Sequence, residues 1–299
     1  MAEEKNNQPS DVMVEEKPKA EATEEKQVEE AAERKPSDAV EEKPISDVAE
    51  EKQPEVKTKQ SFREKMWVHM AKEKLTRSFR SLCSRIPFFN GYDEATKRLT
   101  ELNEYKEAKL LMISPDKPQE SVIIASLQQK KEVLIPRPRL LSGLFYRVKS
   151  AADLPEEEAK DVVVRYDIKQ VQTPINFHSK DLKVDMLVLG SVCVNKAGYR
   201  IGEGEGFVDL EYAILSKMKA VDENTIIVTT VHDCQILDDL PNELFEPHDV
   251  AVDVIITPTQ TIVVNPKLKR PNDIIWSNIS EKRLERIPIL KEIKALEET

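Results

Sequence analysis

Four of the seven glycines in this 299-residue chain lie between Gly198 and Gly206, in the run Gly198-Tyr199-Arg200-Ile201-Gly202-Glu203-Gly204-Glu205-Gly206-Phe207-Val208-Asp209. Glycine concentrated in a chain otherwise poor in it marks backbone that turns tightly or comes close to something. Phe207, Leu210, Ile214 and Met218 follow at helical spacing, so the run opens a helix. A glycine loop feeding a helix N-terminus leaves backbone N–H groups free, a geometry suited to phosphate. The spacing is neither a Rossmann fingerprint, because the third glycine comes too early, nor a Walker loop, because no Gly-Lys-Ser/Thr follows. A purely structural turn accounts for the same pattern. Arg200 enters the loop and can pair with phosphate oxygens. Asp209, in the first helical turn, can hold Mg²⁺ against phosphates or simply answer the helix dipole. Glu203 and Glu205 would repel a phosphate unless they point to solvent.

Such a loop needs a strand before it and a rigid sheet beneath it. Short apolar runs occur at 110–113, 133–135, 186–194, 226–228, 252–256 and 261–264. They are continuous rather than alternating, the pattern of strands buried on both faces in a parallel sheet. Helices are predicted between them at 118–130, 155–165 and 207–219. Two more precede them, one carrying Phe62, Met66, Trp67 and Met70 and one from about Asp93 to Lys109. Residues 280–298 read as two helical pieces broken at Pro288. The alternation predicts an α/β fold of three layers, with a mainly parallel sheet between helices. It spans residues 59–299 as one domain, with Pro136-Arg137-Pro138-Arg139 as an irregular loop.

Residues 1–60 differ in kind. They hold 18 acidic and 10 basic side chains, no Gly and no aromatic residue, so they account for most of the chain's net charge of −10. A segment so poor in large apolar groups cannot offset the entropy of ordering its backbone. Residues 1–58 are expected to be a disordered, acidic, low-complexity tail. The unit Lys35-Pro36-Ser37-Asp38 recurs imperfectly as Lys43-Pro44-Ile45-Ser46-Asp47, too short and too polar for a solenoid repeat. It reads as a solvating tail or, at Ser37 and Ser46, a phosphorylatable partner-binding one. No apolar run is long enough to span a membrane, and the acidic start argues against a leader peptide, so a cytoplasmic protein is expected. Cys83, Cys193 and Cys234 are widely spaced, which favours neither a disulfide framework nor a cysteine zinc site.

The stretch 198–215 resembles the GxRxGxGxGxxD signature of the 5-formyltetrahydrofolate cyclo-ligase family. Lys59-Gln60-Ser61-Phe62-Arg63 is similar to that family's N-terminal KxxLR start. The segments Val231-His232-Asp233-Cys234-Gln235-Ile236, Leu240-Pro241 and Pro247-His248-Asp249-Val250-Ala251-Val252-Asp253 are similar to its closing pattern. One branch of the family is closer still, through Arg85-Ile86-Pro87, Pro115-Asp116-Lys117-Pro118-Gln119, Ile135-Pro136-Arg137-Pro138-Arg139-Leu140 and Gly143-Leu144-Phe145. The resemblance implies the cyclo-ligase fold and ATP-dependent cyclisation of 5-formyltetrahydrofolate to 5,10-methenyltetrahydrofolate with Mg²⁺. It also implies that Lys59 and Arg63 hold ATP phosphates together with Arg200, Gly202, Gly204 and Gly206. Arg200 would then act in catalysis and Asp209 would lie at the metal.

Departures accompany the resemblance. Where active ligases carry a tyrosine pair before the loop aspartate and a basic residue after it, this chain has Phe207, Val208 and Leu210. Their Gly-Ile-x-Glu-Pro segment has no clear counterpart near Thr173-Pro174-Ile175-Asn176. Nucleotide binding is therefore expected more firmly than turnover of a reduced folate. A non-catalytic, RNA-associated module on the same domain is the competing reading. Longer members of the branch carry a C-terminal RNA-recognition domain, for which the residues after Leu290 are expected to leave no room. Composition does not point to RNA, since Lys267-Leu268-Lys269-Arg270 and the Arg137 and Arg139 pair read as solvated charge. His232 and Cys234 are not expected to form a nucleophilic pair, and His69, His178 and His248 show no metal spacing.

Overall fold

The computed structural model describes residues 57–77, 84–141, 143–149 and 172–298. All but the last two residues of the expected tail, Cys83 and the helix expected at 155–165 lie outside these residues.

Helix α1 (Lys59–Lys72) starts where Thr58 can cap it. The Thr58 hydroxyl accepts from the Ser61 N–H at 3.0 Å, and the Ser61 hydroxyl accepts from the Thr58 N–H at 3.0 Å. These two bonds satisfy amides that would otherwise be orphaned at the helix start. The helix buries Phe62, Met66, Trp67 and Met70, as their spacing predicts. The second predicted helix is in fact two, α2 (Tyr92–Glu101) and α3 (Asn103–Glu107). Leu102 adopts an extended conformation, φ −60° and ψ 141°, and breaks the helix there.

The sheet contains β1 (Leu110–Ile113), β2 (Glu132–Pro136), β3 (Phe145–Val148), β4 (Gln172–Ile175), β5 (Met186–Gly190), β8 (Ile226–Thr230), β9 (Val254–Ile256) and β10 (Thr261–Val263). A small hairpin of β6 (Cys193–Val194) and β7 (Arg200–Ile201) stands apart from it. The order across the sheet is β10-β9-β8-β5-β1-β2-β3-β4. Its five central strands pair in parallel, and β10, β3 and β4 add antiparallel edges. Helix α4 (Glu120–Gln128) follows β1, α5 (Phe207–Lys217) follows β7, and α6 (Glu281–Arg286) and α7 (Pro288–Glu297) close the chain. Pro288 occupies the first turn of α7, where its missing N–H costs nothing.

Alternation along each strand sorts the core into two layers. Leu111 and Ile113 of β1, with Met186 and Val188 of β5, pack with α1, α2, α3 and α4. Leu110 and Met112 of β1, with Leu187 and Leu189 of β5, pack with α5 and α7. The three-layer α/β arrangement with a mainly parallel sheet is thus as the apolar runs indicate. The run 186–194 splits at Gly190, because the chain leaves the sheet there to form the β6–β7 hairpin. The strands without an apolar signature are β3, β4 and β7.

Strand order also fixes where a ligand can enter. From β1 the chain crosses through α4 to β2 on one side, whereas β5, β8 and β9 succeed one another on the other. The order reverses between β1 and β5, and the crevice at the carboxyl ends of strands at such a point is where open α/β sheets bind ligands.

Candidate functional site

A cleft of about 210 Å³ lies at this reversal. Asp116, just past β1, and Gly190, the last residue of β5, reach it from the sheet, and the loop 200–209 forms much of its wall. Lys59 and Arg63 of α1 enter from the side. Every residue expected from the sequence to bind phosphate or metal, namely Lys59, Arg63, Arg200, Gly202, Gly204, Gly206 and Asp209, therefore lines one cleft. Ile86, Asp116, Gly190, His248 and Asp249 line it too, and composition around them gave no sign of it; Glu203, expected to point to solvent, also lines it.

Backbone shape in the loop depends on glycine. Gly204 has φ +104°, and a Cβ there would sit 3.1 Å from the Arg63 guanidinium carbon. At Gly190 a Cβ would lie 2.5 Å from a carboxylate oxygen of Asp116. Both positions bring a charged side chain against bare backbone, which a side chain at either glycine would obstruct.

The cations are held from below. Arg63 Nε donates to the Gly202 carbonyl at 2.7 Å, fixing the loop to α1. Burial lowers the Arg63 pKa, partly offset by Cys193, while neighbouring Arg200 lowers it further. Lys59 Nζ lies 2.5 Å from Asp249 Oδ2. Arg200 is buried, 5% exposed; its Nη1 donates to the Gly190 carbonyl at 2.7 Å and its Nε meets no acceptor. An orphaned buried donor at a cleft wall is a place where a ligand oxygen fits.

Carboxylates gather around that guanidinium. Burial pushes the Asp116 pKa up to about 7, with Glu203 raising it further and Arg200 and Arg85 opposing. Burial raises Glu203 as well, against a hydrogen bond from the Ile86 N–H at 3.0 Å. Glu203 thus turns inward to Ile86, while Glu205 stays exposed. Glu211 of α5 is fully enclosed, and burial lifts its pKa well above the carboxylate range, with Asp116 next in effect. Burial raises all three acids while Arg200 opposes the rise in each, so the guanidinium is the positive charge that these carboxyls share.

Asp209 Oδ1 accepts from the Val250 N–H at 2.9 Å and lies 3.9 Å from Arg200 Nη2. Among the described residues no group of three His, Cys, Asp or Glu side chains can hold a metal by itself. Mg²⁺ commonly uses one or two carboxylates and takes its other ligands from phosphates and water. Asp209 fits that partial role, and the orphaned Arg200 Nε fits a phosphate oxygen beside it.

Around Cys234 the chain turns rather than running on as a strand. Residues Asp233–Gln235 form a single helical turn, and the Cys234 N–H donates to His232 Nδ1 at 3.2 Å. Burial pushes the Cys234 thiol up to about 11 and lowers the His232 pKa, so the pair holds neither a thiolate nor a cation at neutral pH. Arg270, taken from the sequence as solvated, instead binds the Thr225 carbonyl at 2.6 Å and pairs with Asp253. No helix among the described residues is long and apolar enough to cross a membrane.

The chain is similar to known proteins. A model described as the 5-formyltetrahydrofolate cyclo-ligase family matches residues 55–258. A methenyltetrahydrofolate synthase domain-containing protein of Danio rerio is 40% identical over 241 residues, covering 81% of this chain and 63% of that protein. Its Homo sapiens counterpart is 39% identical over 241 residues, covering 81% and 62%. The chain therefore spans somewhat under two thirds of the length of these relatives. The NMR structure of Aquifex aeolicus 5,10-methenyltetrahydrofolate synthetase has a TM-score of 0.45 at 18% identity, covering 71% of this chain and 95% of that one.

Proposed function

The chain belongs to the 5-formyltetrahydrofolate cyclo-ligase family, and from that premise we propose that it binds Mg-ATP in the cleft and uses it to convert 5-formyltetrahydrofolate to 5,10-methenyltetrahydrofolate, or to drive a diverged reaction of the same kind. The observation that carries this reading is the convergence of Lys59, Arg63, Arg200 and the glycine loop at the reversal of strand order. ATP would supply an activated phosphoryl group that turns a poor formamide leaving oxygen into phosphate. The protein's part is then placement and charge rather than acid or base chemistry. Arg200 offers a preset, dry guanidinium to the phosphoryl oxygens. The amides of Gly202, Gly204 and Gly206 and the Arg63 side chain would hold the remaining phosphates, and Lys59, paired with Asp249, would add a further positive charge beside them. Asp209 contributes one carboxylate to the metal. At about 210 Å³ the cleft is below the size usual for a whole ligand, so it suits the phosphates more than the complete nucleotide.

Calorimetry with Mg-ATP and an absorbance assay for the methenyl product test the two halves. Binding without product would leave a diverged nucleotide-dependent protein, and no binding at all would sink the reading. Residues 1–58 are proposed to be separable: protein lacking them should fold and bind nucleotide unchanged.

A further inference from the structure

Asp116 and Arg200 converge on one residue of the cleft from different elements. A Cβ at Gly190 would lie 2.5 Å from Asp116 Oδ2, and Arg200 Nη1 donates to the Gly190 carbonyl at 2.7 Å. Other acids of the cleft are held by the backbone, Glu203 by the Ile86 N–H and Asp209 by the Val250 N–H. No hydrogen bond or ion pair holds the Asp116 carboxyl among the described residues. Arg200 has the complementary gap, because its buried Nε meets no acceptor. The protein thus leaves an acid and a donor unpaired at the same wall.

The charges facing Asp116 come from four places: Arg200 of β7, Glu203 of the glycine loop, Glu211 of α5 and Arg85 from the segment before α2. Two cations and two acids nearly offset each other. Burial then decides, and it raises the Asp116 pKa to about 7, so this carboxyl exchanges its proton close to neutral pH. An anion arriving at Arg200 would bring negative charge beside Asp116 and engage the guanidinium that opposes the rise. Both changes favour the protonated acid.

We propose that Asp116 is a binding residue of the cleft that works as a neutral acid, donating its carboxyl O–H to an oxygen of the phosphate chain held by Arg200, so that the protein takes up a proton from solvent when the anion binds. An ionised carboxylate would only accept and would repel that oxygen, whereas the protonated form offers a donor. The inference rests on the reading that the cleft holds the phosphates of Mg-ATP.

Calorimetry on the full chain near pH 7.5, in buffers of different ionisation enthalpy, tests it with Mg-ATP and magnesium tripolyphosphate as separate ligands. The observed enthalpy should vary with the buffer, with a slope that corresponds to uptake of about 0.5–1 proton per ligand. Affinity should fall about tenfold between roughly pH 6.5 and pH 8.5. Asp116→Asn keeps the shape and a donor but carries no exchangeable acid proton, and it removes a buried charge, so it should fold, lose the slope and flatten the profile. Binding without proton uptake overturns the proposal, as does uptake that survives in Asp116→Asn, which would put the proton on another group. Uptake with tripolyphosphate but no binding of Mg-ATP would uphold the role of Asp116 and remove the nucleotide reading. Mg-ATP binding without uptake would do the reverse, and binding of neither ligand at any pH would overturn both.

Discussion

Cations on the two sides of Phe207 are placed in opposite ways. In the glycine-loop cleft, Lys59, Arg63 and Arg200 all have acceptors within the protein: Asp249, the Gly202 carbonyl and the Gly190 carbonyl. In a neighbouring hollow Arg139, Lys282, Arg283 and Arg286 stand together against one carboxylate, and Arg283 keeps two buried donors unused. The first set shapes backbone as well as charge, since Arg63 and Arg200 are each tied to a backbone carbonyl. The second set forms no ion pair among the described residues, and Arg283 lies over the Phe207 ring. Preorganised charge serves catalysis.

Removing the most engaged cation should show this most strongly. Arg200→Ala leaves Asp116, Glu203 and Glu211 buried without their common counter-charge, and breaking a buried charge arrangement from one side costs about 3–5 kcal/mol. Urea unfolding of the variant would measure it, and a loss near zero would mean that Arg200 is as idle as Arg283. Asp116→Asn should act on pH dependence. Because burial raises the folded-state pKa from 3.8 to about 7, the charged form is disfavoured on folding. Stability is then fully present below the lower value and declines as pH rises through that window. Asparagine should flatten the decline, by on the order of 2–4 kcal/mol across it. Melting temperatures taken through the window check this, and an unchanged slope would place the proton elsewhere in the cluster.

Gly204→Ala tests the loop itself. Its positive φ and the 3.1 Å approach to Arg63 should cost about 1–3 kcal/mol and weaken Mg-ATP binding alongside. Retained affinity would show that the loop tolerates a side chain and cradles nothing. The smallest effect belongs to the other hollow: Lys282→Gln should change stability by no more than about 0.5 kcal/mol. A larger loss would reveal a structural partner and erase the contrast between the two regions.

The central sheet was legible because β1, β5 and β8 are buried on both faces and so read as unbroken apolar runs. Strands β3 and β4 escaped, since Phe145–Val148 contains Arg147 and Tyr146, and Gln172–Ile175 contains Pro174, which an edge strand tolerates. The glycine loop, Arg200 and Asp209 could be found because they are contiguous. Asp116, Gly190 and His248 could not, because strand order alone brings them to the loop. Arg139 and Arg283 were hidden for the same reason: each looks like ordinary surface charge until β2 and α6 are folded beside Phe207. Helix α2 was drawn too long because Leu102 carries no breaker signal in its side chain.

The bond from Arg63 to Gly202 joins residues 139 positions apart. A ribosome adding about 5–20 residues per second needs roughly 7–28 s to travel that distance. Helix α1 therefore emerges long before the loop it is meant to hold, and Arg283 follows later still. During that interval strands β1 to β5 are made, but Phe62, Met66, Trp67 and Met70 still lack the β6–β7 hairpin beside them. The site is thus completed only after the strands that support it have been made.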